Sequence, residues 1–463
     1  MNTSFARKLA FIALLIGSTL ILGACGGAQA LPTPTTQPQG AQLQATPTPP
    51  PTFTPASDLQ FGPIVGPNYT PAPLHTPLPS SVSARPCRVQ IAAAQVALRN
   101  APNVAAPAIG TAFEREWLNV LEVTTDTSGV LWVHTAAGWL PLNENGVTTA
   151  QLETVWACDV LTGRTPWRTL AGLHIINDTR HDEVLSFVRL MRDSGIPVGT
   201  VKGLNGTEGL LDEIKRISPE TVIVYRSLHN SEGDRDCPAP YEQLQDPNHL
   251  PDPVSLAQRW YAGYKGYWDQ VNADYYEYIN ECTPSAEWLA QFSIEMMRLA
   301  NEEGRCLLLF SFSGGHPEMD EFDALLPAYR YAVEHPCQPG RTHGIALHAY
   351  SAADDQPASE SDVWLTRRHR LMHERLLATL PEAANLPVYI TEMGIGGGTI
   401  MPPCELIVRD VLQYTYQLEA DPYVKGFHLW SVGTGAQWYD VAPCLPDLSA
   451  SLIQYYQSAP THP

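Results

Sequence analysis

From about Trp167 onward the sequence alternates, eight times over, a short apolar run with an amphipathic one. The apolar runs extend from Ala171 to Ile176, Pro197 to Val201, Thr221 to Tyr225 and Tyr275 to Asn280. They continue from Leu307 to Ser311, Gly344 to His348, Val388 to Thr391 and Val424 to Trp430. Between them, Val184, Leu185, Val188 and Met191 recur at helical spacing within the run from Asp182 to Arg192. Asp252 followed by Pro253 opens the run to Trp268, an N-cap with proline in the first turn. Ser285 opens another that stops at Gly304. Further helical runs extend from Phe322 to Val333, Trp364 to Leu380, Cys404 to Leu418 and Leu448 to Gln457. Eight strand-then-helix units in one domain-sized segment predict an α/β fold, a closed parallel (β/α)8 barrel. The alternative is an open doubly wound sheet with a nucleotide cradle. Its one candidate, the run from Gly394 to Thr399, fails G-x-G-x-x-G at the last glycine and reads as a loop at the barrel mouth.

The fourth apolar run continues into Asn280 and Glu281, and the seventh ends at Glu392. Carboxyl groups at the ends of apolar strands are costly unless they are paired or do chemistry. Barrel active sites lie at the C-terminal ends of the strands. That rule collects Asn280 and Glu281 after the fourth strand, His348 and Tyr350 after the sixth, Glu392 after the seventh, and Trp430 in the eighth. His174, Lys202, Arg226, His229 and Trp438 also fall near the mouth, without individual roles. The plainer alternatives are a helix cap for Glu281, an ion pair with an arginine for Glu392, and core packing for His348, Tyr350 and Trp430.

An Asn-Glu pair on strand four with a Glu on strand seven resembles the clan A glycoside hydrolases, (β/α)8 TIM barrels that cut glycosidic bonds. The resemblance covers the barrel through strand order, although its specific motifs are a few residues. It implies that Glu281 is the acid/base and Glu392 the nucleophile of a two-carboxylate retaining reaction. It further implies that Asn280 bonds the sugar 2-hydroxyl, Tyr350 holds the nucleophile, His348 lines the substrate site and Trp430 is a stacking floor. Two departures stand out: Cys282 follows Glu281 where proline is common, and the arginine often found near the nucleophile has no clear counterpart. A non-catalytic carbohydrate- or wall-binding protein on the same barrel is the contrasting reading. No cofactor is implied, and no cysteine or histidine spacing suits a metal cluster. A serine nucleophile would need a G-x-S-x-G elbow, which is missing from the sequence.

Ahead of the barrel, Arg7 and Lys8 precede an apolar run from Leu9 to Leu22, a pattern that predicts an export signal over 1–24. Leu22-Gly23-Ala24-Cys25 resembles a bacterial lipobox, which implies cleavage before Cys25, lipidation of its thiol, and a chain tethered to the cell envelope. Residues 25–81 are rich in Pro, Thr and Gln and cannot bury a core, so they read as an extended linker of roughly 3 Å per residue. Residues 82–160 carry short alternating strands. The runs Val96 to Pro102, Ala108 to Thr111 and Gly138 to Pro141 resemble a bacterial SH3-like domain, a small all-β barrel that implies cell-wall contact. The (β/α)8 domain is assigned to 165–463. Formal net charge is −20, which argues against binding nucleic acid or anionic lipid.

Setting Cys25 aside leaves eight cysteines, and export makes disulfides their default. Cys87 and Cys158 bracket the small β unit. On the barrel, Cys237 with Cys282 and Cys404 with Cys444 belong at the top, while Cys306 with Cys337 belongs at the bottom. Each pair is then local, as bridge geometry demands.

Overall fold

A computed structural model describes residues 82–458 except 154, 163–167, 229–230, 233–234, 247 and 436. The expectations for the export signal, for Cys25 and its lipid, for the linker and for His229 fall outside these residues.

Eight parallel strands close into a barrel, each strand bonded to the next in sequence and the eighth to the first. They are β1 (Ala171–Ile175), β2 (Thr200–Leu204), β3 (Val222–Arg226) and β4 (Tyr275–Glu277). The circuit continues with β5 (Leu307–Phe312), β6 (Gly344–Tyr350), β7 (Val388–Gly394) and β8 (Val424–Val432). A helix follows each strand: α1 (His181–Asp193), α2 (Glu208–Ile217), α3 (Pro253–Trp268) and α4 (Ala286–Glu302). Then come α5 (Phe322–Glu334), α6 (Arg368–Thr379), α7 (Cys404–Leu418) and α8 (Leu445–Gln457). The helix starts follow the sequence signals. The Asp252 carboxylate accepts the Ser255 N–H at 2.7 Å, and the Ser285 hydroxyl accepts the Trp288 N–H at 3.3 Å.

Alternation along the strands sorts side chains to two faces. Outward, Tyr276 packs on Trp268 and Tyr278 on Phe292, with ring centroids 5.2 and 6.1 Å apart. Inward, Val222, Val224, Tyr275, Leu308, Ala346 and Tyr389 form a separate apolar cluster. One step further along β3 and β4 the inward residues are Arg226 and Glu277, which stand opposite each other in register. The barrel interior therefore turns from apolar to charged toward its C-terminal end.

Three elements depart from the sequence reading. The second strand, expected over Pro197 to Val201, runs over Thr200–Leu204. The fourth strand leaves the parallel ladder after Glu277, because Asn280 exchanges backbone hydrogen bonds with Asp236 from the loop after β3 instead. The helix expected from Trp364 to Leu380 is broken into Val363–Thr366 and α6. Between them Arg367 turns to donate to the carbonyls of Ser359 and Ser361, at 2.8 and 2.7 Å.

Ahead of the barrel, a seven-stranded antiparallel sheet spans Arg88–Ile91 to Ala150–Leu152. Its interior, with Val89, Val96, Leu98, Val133 and Leu140, is continuous with the barrel's outer core. Arg85 donates to the Tyr416 carbonyl on α7 at 3.0 Å and lies over that tyrosine's ring. Four disulfides join Cys87 to Cys158, Cys237 to Cys282, Cys306 to Cys337 and Cys404 to Cys444, the pairs expected from the strand order. Such bridges fit an oxidising compartment. No helix among the described residues is long and apolar enough to cross a membrane.

Candidate active site

Glu392 sits near the C-terminal end of β7 with its side chain turned into the barrel, 4 % exposed. A carboxylate can remain there only if its charge is met at close range. β2 and β3 supply the cations. Lys202 Nζ and Arg226 Nη1 each stand 3.1 Å from Glu392 Oε1. β6 supplies the third contact, the Tyr350 hydroxyl donating to Oε2 at 2.8 Å. Lys202 also lies 2.7 Å from the fully buried Glu277, whose other oxygen accepts from the Ser311 hydroxyl at 3.0 Å. Two cations thus face two buried carboxylates, and the cluster is near neutrality.

Glu281 is the less enclosed carboxylate, its side chain 23 % exposed against 5 % for Glu392. It lies past the end of β4 at φ +53, a left-handed conformation that a non-glycine residue holds only at a cost. Its backbone N–H donates to the Ser311 carbonyl at 3.0 Å, which fixes that turn. His348 Nδ1 lies 2.7 Å from Glu281 Oε1 and 3.5 Å from Glu392 Oε2, so the imidazole bridges the carboxylates. One oxygen of each carboxylate and a ring nitrogen of His348 all lie within 4.8 Å of one another. Arg226 also donates to the Asn280 carbonyl oxygen, which sets how that amide is turned.

Burial opposes charge on Glu392, but His348, Lys202, His174 and Arg226 together outweigh it and hold the carboxyl well below the usual range. Burial, with Lys202 adding to it, pushes the His174 imidazole well below its ordinary value. His174 is therefore neutral, and what keeps Glu392 ionised is His348 together with Lys202 and Arg226. Burial and then the Glu392 charge drive the Tyr350 hydroxyl well above its ordinary value, so it remains a donor. The arrangement is a buried, ionised carboxylate with a more open one within 4.8 Å of it, oxygen to oxygen.

The trio Glu281, His348 and Glu392 also has the spacing to ligate a metal ion. The donor set argues otherwise, because Lys202 and Arg226 already occupy the charge of Glu392 at 3.1 Å and would repel a divalent cation.

Trp430 on β8 is 5 % exposed. Its ring meets His174, Trp438 and Tyr350 edge-on, with centroids 4.6, 5.3 and 6.2 Å apart. The glycine run after β7 lies against it: a Cβ on Gly398 would come within 2.5 Å of Trp430 Nε1. The structure thus brings Glu281, Glu392, Asn280, His348, Tyr350 and Trp430 to one end of the barrel, and His174, Lys202 and Arg226 join them. Glu277 is the residue that sequence reasoning missed. Period-two spacing from Tyr275 puts it inward, and that was its one available signal. The alternative of an arginine partner for Glu392 also holds, since Arg226 is that partner.

No protein-family model matches the sequence, and no curated protein sequence matches it. Among solved structures, the chain is similar to a family 39 glycoside hydrolase from Bacteroides cellulosilyticus WH2, at 11 % identity and TM-score 0.40, over 82 % of this chain and 79 % of that one. It is also similar to a GH128 (subgroup II) endo-β-1,3-glucanase from Sorangium cellulosum, at 16 % identity and TM-score 0.34, over 64 % and 100 % of the two chains. A third likeness is to an endo-1,4-β-D-mannanase from Thermotoga petrophila RKU-1, at 11 % identity and TM-score 0.34, over 58 % and 90 %.

Proposed function

We propose that the chain is a retaining glycoside hydrolase acting on extracellular poly- or oligosaccharide, with Glu392 as nucleophile and Glu281 as acid/base. One observation carries this: one oxygen of Glu281 and one of Glu392 lie within 4.8 Å of each other. Direct attack on an anomeric carbon needs carboxyl groups about 5–5.5 Å apart, whereas an inverting pair leaves roughly 6.5–9.5 Å for a water.

The environments divide the roles. Lys202 and Arg226 keep Glu392 ionised at neutral pH, as a nucleophile requires. Glu281, at the open side, delivers its proton to the departing glycosidic oxygen as the Glu392 carboxylate bonds the anomeric carbon and the old C–O bond breaks. A water then returns its proton to Glu281 and its hydroxyl to the anomeric carbon, which releases Glu392. Tyr350 holds the nucleophile, Asn280 takes the sugar 2-hydroxyl, His348 positions Glu281, and Trp430 forms an aromatic wall beside the reacting sugar.

The same proposal extends to the N-terminal parts. Cys25 anchors the exported chain by a lipid, 25–81 serve as reach, and the sheet over 82–160 is an SH3-like module that contacts cell wall, leaving 165–463 as the hydrolase.

A mechanism-based fluoro-glycoside tests the assignment. It is expected to add one sugar mass to the peptide holding Glu392, and Glu392→Gln is expected to lose both labelling and turnover. Wild-type protein that binds glycans but turns over none of a broad aryl-glycoside panel would overturn the enzyme reading. Glu281→Gln is expected to slow hydrolysis by about 10²–10⁴-fold, less for leaving groups that need no proton.

A further inference from the structure

Arg368, the first residue of α6, is 4 % exposed, yet Nε, Nη1 and Nη2 all lack a hydrogen-bond partner among the described residues. One face of its guanidinium is covered by the Trp364 ring, 3.9 Å away. The carboxylates that act on its charge are those of Glu318, Asp362 and Glu321, but none of them bonds it. Two are engaged elsewhere: Glu321 accepts the Glu318 N–H at 3.0 Å, and Asp362 accepts the Trp364 N–H at 2.7 Å. Burial accordingly pulls the guanidinium down to about 9.

The group lines a small cavity behind the barrel wall, together with Ser313, Gly315, His316 and His348. A Cβ on Gly315 would stand 3.7 Å from Arg368 Nη2, an ordinary contact, so the loop after β5 passes close to the guanidinium. Three other groups on the same cavity also lack partners among the described residues, His316 Nδ1, His348 Nε2 and His369 Nδ1. The room is that of a single water or small ion, far too small for a sugar. A water would satisfy N–H groups, but it would leave the guanidinium charge opposed only by carboxylates that do not bond it.

We propose that this cavity is a binding site for one small monovalent anion of halide size, held by Arg368 between α6 and the loop after β5. Such an anion completes the hydrogen bonding of the guanidinium and neutralises it. The cavity also reaches His348, whose other nitrogen holds Glu281, so the anion is placed to steady the imidazole from behind. The site stands whether or not the barrel is a glycosidase, and its test uses no substrate.

Thermal unfolding of the full chain is to be followed at constant ionic strength with chloride or bromide exchanged for gluconate. The midpoint is expected to rise with the logarithm of halide concentration and to stay flat in gluconate. Arg368→Met is expected to lose that dependence. Crystals of the wild type soaked in bromide supply a measure that does not require the variant to fold. An anomalous peak within hydrogen-bond reach of Arg368 is expected. Equal midpoints in halide and gluconate, or a cavity without an anomalous peak at a bromide concentration that saturates the halide response, would overturn the proposal.

Discussion

Lys202 stands between two buried carboxylates, 2.7 Å from Glu277 and 3.1 Å from Glu392, and it is wholly buried itself. Its removal leaves Arg226 and the His348 imidazole to answer those charges. Lys202→Met is expected to cost about 3–5 kcal/mol of stability at neutral pH, the usual cost of breaking a buried ion pair. Its effect on Glu392 has a definite sign. The folded-state carboxyl is held below its ordinary value, so its share of stability is present above the ordinary value and lost as pH falls through the folded one. Without Lys202 the folded value rises. The gap between variant and wild type should therefore narrow on acidification in urea titrations. The acid limb of the kcat/KM profile should move to higher pH. An unmoved acid limb would mean that Lys202 is structural only.

At the scale of elements, two chain ends carry more than their sequence suggests. The end of β4 is held by the loop after β3, through the backbone pairing of Asp236 with Asn280 and the Cys237–Cys282 bridge beside it. The bridge closes a span of 45 residues, for which loop entropy gives about 4 kcal/mol at most. The double variant Cys237→Ser, Cys282→Ser is expected to lose about 2–4 kcal/mol and to lower kcat more than it raises KM, because the turn that holds Glu281 is loosened. An unchanged kcat in a destabilised variant would separate the bridge from catalysis.

The end of α7 is a different case. Glu419 there is 6 % exposed, and burial pushes its carboxyl up to about 8, with Tyr455 and Arg85 offsetting only part. A carboxyl raised in the folded state gives stability that is full below the ordinary carboxylate range and lost as pH rises through about 8. Glu419→Gln should therefore gain on the wild type from pH 5 to about pH 8 and level off above it, read by urea midpoints. A constant difference across that range would refute it.

For the molecule as a whole, the seven-stranded sheet and the barrel share one continuous apolar core. Arg85 and Ala84 tie the sheet to α7 and to Ser458, at 3.0 and 3.3 Å. Calorimetry is expected to show one unfolding transition for both parts under non-reducing conditions, while two resolved transitions would show that the shared core does not couple them. The sequence alone determined the (β/α)8 order, the helix starts at Asp252 and Ser285, the four disulfide pairs, and the place of Glu281 and Glu392 at strand ends. The order and the helix starts follow from periodicity and local capping, written in neighbouring residues, and the disulfide pairs follow from where that order places the cysteines. It did not show that Glu277 joins the charged cluster, that the fourth strand quits its ladder after Glu277, or that Lys202 and Arg226 are the cations on Glu392. These depend on the register between strands far apart in sequence. Lys202 meets Glu392 across 190 residues, and only closure of the barrel puts β2 and β7 on opposite walls of the same small space.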